Sequence, residues 1–393
     1  MPGNKHKESK MCPGRTMSRR HFIQTAAAAA AGLIAGGCQK ETLPRWMELT
    51  PPGEATPTAA APTVSATEKA ALAQVAIAHA TTYDRALIRE RVRDVLDGIG
   101  GLADVIHSGD RVAIKVNLTG GTTADPLDGV LAIESYITHP EVVRVLGELV
   151  RDAGARELFL VEAVYEWDSY RQWGYEAVAE DLGATLIDLN APDPYPDYAT
   201  TPVGEDWFIY PEFKLNRILH EVDAFISVPK MKCHWSAGVT HSLKNLFGLA
   251  PMQFYNLQPD HRWRSAFHGT AQEMGTRLPR VIVDLNRARP IDLALIDGIK
   301  TVDGGEGPWV GTLSPVEPEL LFAGKDPVAT DAVATAAMDF DPTEVRSNAP
   351  FLQSDNHLNI AHEWGLGTNV LGEIEVVGPS IQDVVHKFEP SGK

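Results

Sequence analysis

Short apolar runs alternate with amphipathic segments along most of the chain, from about residue 74 onwards. The apolar runs are rich in Val, Ile, Leu and Phe, which is typical of strands covered on both faces. The pattern predicts strands at residues 74–79, 111–116, 157–162, 185–189, 224–229, 292–297, 319–323 and 373–377. It predicts helices at residues 84–99, 140–153, 175–182, 236–247, 279–288 and 327–338. This alternation predicts an α/β fold with a largely parallel sheet and helices on both faces, a Rossmann-like layering.

The first 37 residues follow a different pattern, with basic residues before an Ala- and Gly-rich apolar stretch. Residues 1–37 are therefore predicted to be a signal peptide, and the pair Arg19 and Arg20 predicts twin-arginine export. Small residues precede Cys38, as at a lipoprotein processing site, which predicts lipidation of this cysteine. The alternative is ordinary cleavage near Ala35, which would release a soluble exported protein.

Residues 38–73 are rich in Pro, Ala and Thr, which predicts a flexible tether. Residues 74–390 are predicted to form a single α/β domain. The protein is thus expected on the periplasmic or another extracytoplasmic face, with the twin-arginine export machinery as a partner. Its predicted contact with a membrane is through an N-terminal lipid only.

The charge balance restricts the class of ligand. The formal net charge is −17, and residues 1–37 contribute +5, so the remaining chain carries −22. Such an acidic domain argues against nucleic acid as a partner. It leaves room for a local basic pocket that binds a small anionic ligand.

Cysteine use restricts the cofactor. Cys233 is the one cysteine beyond the predicted signal and its processing site, whereas a cluster normally takes four cysteine ligands. We therefore expect no iron–sulfur cluster held by this chain alone. The sequence also has no dinucleotide fingerprint and no Walker-type loop.

Polar residues follow several of the predicted strands, where ligands of open parallel sheets bind. The candidate ligand-binding residues near these ends are Lys115, Asn117 and, further along, Asn245. The candidate catalytic residues are Lys230, Lys232, His234, His241, Lys244 and His268. Lysines packed together lower one another's pKa, as a catalytic base or a Schiff-base lysine requires.

The predicted helix 236–247 is central to this hypothesis. His241, Lys244 and Asn245 would share one face of it, at spacings of three and four residues. In the alternative interpretation, Lys244 merely complements the negative end of the helix dipole. His268 is a candidate general acid or base.

Three aspartates are candidate ligands of a divalent cation. Asp297 ends a buried strand, and Asp331 has small or apolar neighbours, so both carboxylates need a partner, either a lysine that they orient or a hard metal ion such as Mg²⁺. Asp326 precedes Pro327 and is equally well explained as a helix N-cap. The histidines show no zinc-type spacing.

These polar motifs resemble those of the domain of unknown function 362 family. The resemblance extends from about Lys115 to Met338. Its motifs are Lys115-Val116-Asn117, Pro229-Lys230-x-Lys232-x-His234, Lys244-Asn245-Leu246-Phe247-Gly248, Asp297-Gly298 and Asp326-Pro327-Val328-Ala329-x-Asp331. The resemblance implies an α/β domain whose shared polar residues lie near one site. Relatives often carry ferredoxin-type cluster modules, whose cysteines this sequence lacks.

Three functional hypotheses follow from the sequence. The first is an exported enzyme that acts on a small anionic substrate through a Lys/His/Asp crevice, by hydrolysis or isomerisation. The second is a tethered ligand-binding protein without catalysis. The third is a redox accessory protein, as the names of relatives suggest.

Overall fold

The computed structural model describes residues 72–122, 127, 129–259, 261 and 263–392. The predicted signal peptide, with Arg19 and Arg20, Cys38 and most of the predicted tether lie outside these residues. Among the described residues, no helix combines the length and the apolar character needed to span a bilayer.

A large twisted sheet forms the centre of the described domain. Its strands are β1 (Ala73–His79), β2 (Arg111–Val116), β3 (Glu157–Glu162), β4 (Thr185–Asp188), β7 (Ala224–Val228), β10 (Leu293–Asp303), β12 (Leu320–Gly324) and β13 (Ile374–Val377). A separate pair, β5 (Ala199–Pro202) and β6 (Glu212–Leu215), forms a small antiparallel sheet. The spatial order of the large sheet is β13-β1-β12-β10-β7-β2-β3-β4.

Strand direction confirms the largely parallel sheet. Neighbouring strands from β10 through β7, β2 and β3 to β4 pair in parallel, as β1 does with β13. Only β12 in this path runs the other way, antiparallel to β1 and β10. The carboxyl ends of the parallel strands therefore meet at one edge.

Helices cover both faces, as predicted. One face carries α1 (Arg85–Gly98), α2 (Pro140–Asp152) and α4 (Tyr175–Leu182). The other carries α8 (Met274–Ala288), α9 (Pro327–Ala337) and α10 (His357–Glu363). Short helices complete the fold: α3 (Asp168–Gln172), α5 (Ile218–Glu221), α6 (Ser242–Asn245), α7 (Ser265–His268) and α11 (Ile381–Val384).

The sequence of α2 shows why these helices form where they do. Pro140 begins the helix, and the ring of His139 accepts a hydrogen bond from the backbone N–H of Glu141. Apolar residues at helical spacing, such as Val142 and Leu146, are fully buried against the sheet. The helix packs on both α1 and α4.

The predicted helix 236–247 is wrong over most of its length. Strand β8 (Lys230–His234) turns back antiparallel into β9 (Gly238–Thr240), and only the single-turn α6 and a 3₁₀ turn, Leu246–Leu249, follow. Gly238 has a φ of 78° and lies against the ring of Phe351, so a side chain there would collide with it. Strand β10 is correspondingly longer than predicted, because its second half pairs with β8 and with the short strand β11 (Ser314–Val316).

Candidate functional site

Two of the predicted lysines are held in buried ion pairs. Lys115, at the end of β2, places its Nζ 2.9 Å from a carboxylate oxygen of Glu162, at the end of β3. The same Nζ donates to Oδ1 of Asn245 at 3.1 Å and to the carbonyl of Val116 at 2.6 Å. With no exposed surface and its three N–H groups engaged, Lys115 stabilises the fold and has no donor left for a ligand.

Asn245 and Gly248, which follow Lys244 in the same motif, lie against the ion pair of Lys115 and Glu162. The side-chain amide of Asn245 makes two hydrogen bonds with Lys115. Its Oδ1 accepts from the Lys115 Nζ, and its Nδ2 donates to the Lys115 carbonyl at 3.2 Å. A Cβ on Gly248 would overlap the Glu162 carboxylate and lie 2.7 Å from the Lys115 Nζ. The glycine is therefore required by the close approach of the chain to a buried charge pair.

Lys230 is engaged in the same way. Its Nζ lies 2.7 Å from the carboxylate of Asp297, 2.9 Å from the hydroxyl of Tyr83 and 2.9 Å from the carbonyl of Lys300. The other oxygen of Asp297 accepts from the Tyr83 hydroxyl at 2.9 Å. Tyr83 stacks on His139 with the ring centroids 3.6 Å apart. This network joins β8 and β10 to the start of α2.

Lys232 and Lys244 are buried without a carboxylate. Lys232 is 1% exposed and Lys244 is 6% exposed, and neither has an acidic group within 4.0 Å among the described residues. The Lys232 ammonium donates to the carbonyl of Tyr136. The Lys244 ammonium lies 4.1 Å from the ring centroid of Phe247 and makes no hydrogen bond with the described part of the chain.

Burial lowers the pKa of all four buried lysines, and at Lys115 and Lys230 the ion-paired carboxylates of Glu162 and Asp297 oppose the shift. Burial lowers the pKa of Lys244 to about 7, with Glu306 opposing the shift and Arg264 adding to it. Burial lowers the pKa of Lys232 well below its ordinary value. Near neutral pH, Lys244 is therefore divided between its charged form and a neutral amine that is able to act as a base or a nucleophile.

Two histidines complete this cluster on its open side. The hydroxyl of Ser236 lies 3.4 Å from Nδ1 of both His234 and His268, and its backbone N–H donates to Nδ1 of His234 at 3.2 Å. This places the proton of the neutral His234 ring on Nε2. Burial, followed by the charge of Lys244, lowers the pKa of His268 to about 3 and that of His234 well below its ordinary value. His234 and His268 are half-buried, less deeply than Lys232 and Lys244.

Sequence reasoning missed the acidic residue of the cluster. Glu306 acts electrostatically on both Lys232 and Lys244. Its carboxylate accepts from the backbone N–H of Trp235 at 2.9 Å and from Nε1 of Trp309 at 3.0 Å. It lies in a glycine-rich loop after β10, where no strand pattern drew attention to it. Glu162 was also missed, although it ends a predicted strand.

Three other predicted site residues do not join the cluster. His241 lies before α6, 3.5 Å from the hydroxyl of Thr335 and with burial lowering its pKa to about 3. Asn245 bonds to Lys115, so the predicted common face of His241, Lys244 and Asn245 does not form. Asn117 has a buried Oδ1 without a partner in the described residues.

The candidate metal ligands occupy three separate positions. Asp297 pairs with Lys230, whereas Asp326 caps α9 by accepting from the N–H of Ala329 at 2.9 Å. Asp331 accepts from the N–H groups of Ser242 and Leu243 at 2.8 and 2.9 Å, which caps α6, and burial raises its pKa to about 7. Within the described ranges, no group of three His, Cys, Asp or Glu is placed to hold a metal ion.

The layered fold and the lysine–histidine cluster at one sheet edge define an α/β protein with a polar site beyond the ends of its parallel strands. A family model also matches this chain. Residues 112–336 match the model of the domain of unknown function 362, DUF362, and the chain belongs to this family.

Similar proteins were also found. The chain is 28% identical over 276 residues to the thylakoid-associated protein sll1697 of Synechocystis sp., which covers 70% of this chain and 77% of that protein. Among solved structures, the lactate racemase apoprotein of Thermoanaerobacterium thermosaccharolyticum matches 67% of this chain and 56% of its own, with a TM-score of 0.36 and 13% identity. A structural-genomics protein from Thermotoga maritima matches 61% of this chain and 55% of its own, with a TM-score of 0.30 and 13% identity.

Proposed function

We propose that the protein is an exported enzyme that binds a small anionic substrate at the cluster of Lys232, Lys244, His234 and His268. The observation that carries the proposal is Lys244, a buried ammonium with no hydrogen bond or ion pair to any described residue. An isolated buried charge is costly, so an anionic ligand that pairs with it gains affinity.

The cluster supports a division of roles. Lys244, with a pKa lowered to about 7, supplies a neutral amine that takes a proton or attacks a carbonyl carbon. Lys232, close to Lys244, attracts the anionic group of the substrate. The neutral ring of His234 presents an Nε2–H donor, which stabilises negative charge that develops during the reaction. Isomerisation or hydrolysis requires no more than these groups.

The ion-paired residues have a supporting role in this proposal. Lys115, Asn245 and Glu162 hold the turn that carries Lys244, and Lys230 with Asp297 holds the strand that carries Lys232. They position the cluster without contacting the substrate.

Anion binding tests the proposed site. Phosphate and acetate are titrated at constant ionic strength while the thermal unfolding temperature is followed, with Lys244→Met beside the exposed control Lys214→Met. We expect an anion to raise the unfolding temperature of the parent and of Lys214→Met but not of Lys244→Met. An equal rise in all three proteins, or none in the parent, would refute the site.

Catalysis is then separated from simple binding by the protonation state of Lys244. If a bound anion is released unchanged and Lys244 stays fully charged up to pH 9, the protein is a ligand-binding protein. A lysine that titrates near neutral pH and forms a borohydride-trapped adduct with a keto acid supports the enzyme.

We also propose that the chain is exported by the twin-arginine route and anchored through Cys38. The support is the pattern of residues 1–38 and the name of the Synechocystis relative, a thylakoid-associated protein. Replacing Arg19 and Arg20 by Lys is expected to retain the full-length precursor in the cytoplasm. Mass spectrometry of the exported protein tests the anchor, because Cys38→Ser is expected to remove an acyl mass. Unchanged export of the double lysine variant, or an unmodified parent, would refute these assignments.

A further inference from the structure

A third buried cation that lacks a carboxylate partner among the described residues lies beside Lys244. It belongs to none of the motifs found in the sequence. Arg264 is 3% exposed and has no carboxylate within 4.0 Å among the described residues. Its Nε donates to the carbonyl of Ala250 and its Nη2 to the carbonyl of Ala163 at 3.3 Å. Its Nη1 makes no hydrogen bond with the described part of the chain. Two neutral acceptors therefore orient the guanidinium but do not neutralise it.

Arg264 and Lys244 share one aromatic ring. The guanidinium carbon lies 5.5 Å from the centroid of Phe247, and the Lys244 ammonium lies 4.1 Å from the same centroid. His268 contacts this ring as well, with centroids 5.6 Å apart. The ring thus keeps two cations near one another at the open, histidine-lined side of the cluster.

The charges in this region do not balance. Lys232, Lys244 and Arg264 are each at least nine-tenths buried, and each lacks an ion-pair partner in the described residues. Glu306 and Glu162 both act electrostatically on the two lysines, and the two oxygens of Glu306 accept from Trp235 and Trp309. Glu162 is matched by Lys115, so when all three basic groups are protonated Glu306 leaves an excess of two positive charges, which Asp188 reduces by its weaker action on Arg264. The two other buried lysines, by contrast, are matched one to one with carboxylates.

We infer that Arg264, with Lys244 and Lys232, binds a ligand that carries two negative charges, a small dicarboxylate or a phosphate group. This inference rests on the proposed function and adds both a residue and a substrate class to it. A guanidinium with a free edge suits paired oxygen atoms, whereas the ammonium groups act as point charges. A monoanion would leave one of the cations uncompensated.

Isothermal titration at constant ionic strength and about pH 6 tests this class, because Lys244, with a pKa lowered to about 7, is mostly protonated there. The probes are acetate, malonate and inorganic phosphate. We expect malonate or phosphate to bind about tenfold tighter than acetate or better, as one additional charge-assisted contact provides. The comparison of malonate with phosphate identifies the type of dianion. Equal affinity for acetate and both dianions would overturn the inference without any variant.

Variants assign the preference to Arg264. Arg264→Gln is expected to lose the dianion preference and retain acetate binding, whereas Arg264→Lys retains part of the preference. The exposed Arg156→Gln is the matched control and should behave like the parent. Unfolding curves check that each variant folds. If a folded Arg264→Gln binds the dianion as the parent does, the inference is overturned. If the parent itself binds none of the anions, the proposed function is refuted.

Discussion

Four buried lysines of this domain fall into two contrasting pairs. Lys115 and Lys230 each place their ammonium within 3 Å of a carboxylate oxygen, at 2.9 and 2.7 Å. Lys232 and Lys244 are almost as deeply buried but have no such carboxylate among the described residues. The short segment that begins β8 contains one member of each pair, two residues apart.

The contrast shows that burial alone does not identify a functional lysine. A buried charge is tolerated when it is compensated, and the source of compensation decides its role. Glu162 and Asp297 compensate Lys115 and Lys230 from within the fold, so these lysines belong to the scaffold. Burial lowers the pKa of all four lysines, but Lys232 and Lys244 have no carboxylate within 4.0 Å among the described residues, so a bound anion is the partner that would compensate them.

The largest effect is expected from breaking an internal pair. Lys115→Met leaves the carboxylate of Glu162 buried without its cation, and we expect a loss of about 3–5 kcal/mol in the free energy of unfolding. Urea denaturation followed by circular dichroism measures it. In the double variant Lys115→Met/Glu162→Gln, which removes both charges and keeps an acceptor for the backbone N–H groups of Leu118 and Ala163, part of this loss should disappear. A loss below about 1 kcal/mol in the single variant would show that the pair is not part of the scaffold.

A smaller loss is expected from crowding the same pair. Gly248→Ala introduces a methyl group that overlaps the Glu162 carboxylate, and we expect it to cost about 1–3 kcal/mol. The matched control is Gly372→Ala, because a Cβ at Gly372 meets nothing within 4 Å. Equal urea midpoints for the two variants would mean that the turn is free to move away from the pair.

A third variant tests whether Asp326 acts as a helix cap or as a metal ligand. Asp326→Ala removes the side chain that caps α9, and the expected loss is about 1 kcal/mol. As a cap, Asp326 gives the same loss in EDTA and in magnesium chloride. A loss seen only with magnesium present would restore the metal hypothesis for Asp326.

The smallest effect on stability is expected at the uncompensated lysine. Lys244→Met should leave stability at pH 7 unchanged or raise it by about 1 kcal/mol, because a buried charge without a partner is removed. The dependence of the free energy of unfolding on pH is a second measurement that distinguishes Lys244 from an ordinary exposed lysine. The folded pKa of about 7 lies below the unfolded value of about 10.4, so the unfolded state binds more protons between them and stability rises with pH in that window. Lys244→Met should lose the part of this rise that Lys244 contributes, while the other buried lysines keep theirs and Lys214→Met keeps the whole rise. An unchanged profile in Lys244→Met would contradict the shift.

The layering of the fold was predictable from local patterns, and the charge pairing was not. Apolar runs gave β2 and β3 their observed bounds, Arg111–Val116 and Glu157–Glu162, because strands covered on both faces have a strong local signal. The β8–β9 hairpin escaped prediction because its turn depends on Phe351, more than a hundred residues away in the chain. The partners of Lys115 and Lys230 are likewise distant in sequence, and nothing local distinguished these lysines from Lys232 and Lys244.

Some of the candidate residues named from the sequence lie together in the structure. His234 and His268 meet near Lys244 through Ser236, yet Glu306 and Arg264 were not foreseen because neither belongs to a recognised motif. Asp326 proved to cap a helix, the alternative that its position before Pro327 had suggested. Capping has a local signature, whereas convergence of side chains from several strands does not.

The most direct test of the account is the titration of the lysine ammonium groups by nuclear magnetic resonance, with Lys244→Met used to assign the resonance. We predict that Lys244 titrates with a pKa of about 7 and that an added dianion raises this value. A Lys244 that remains charged above pH 10, with or without an anion, would contradict the claim that it is the uncompensated group of the site.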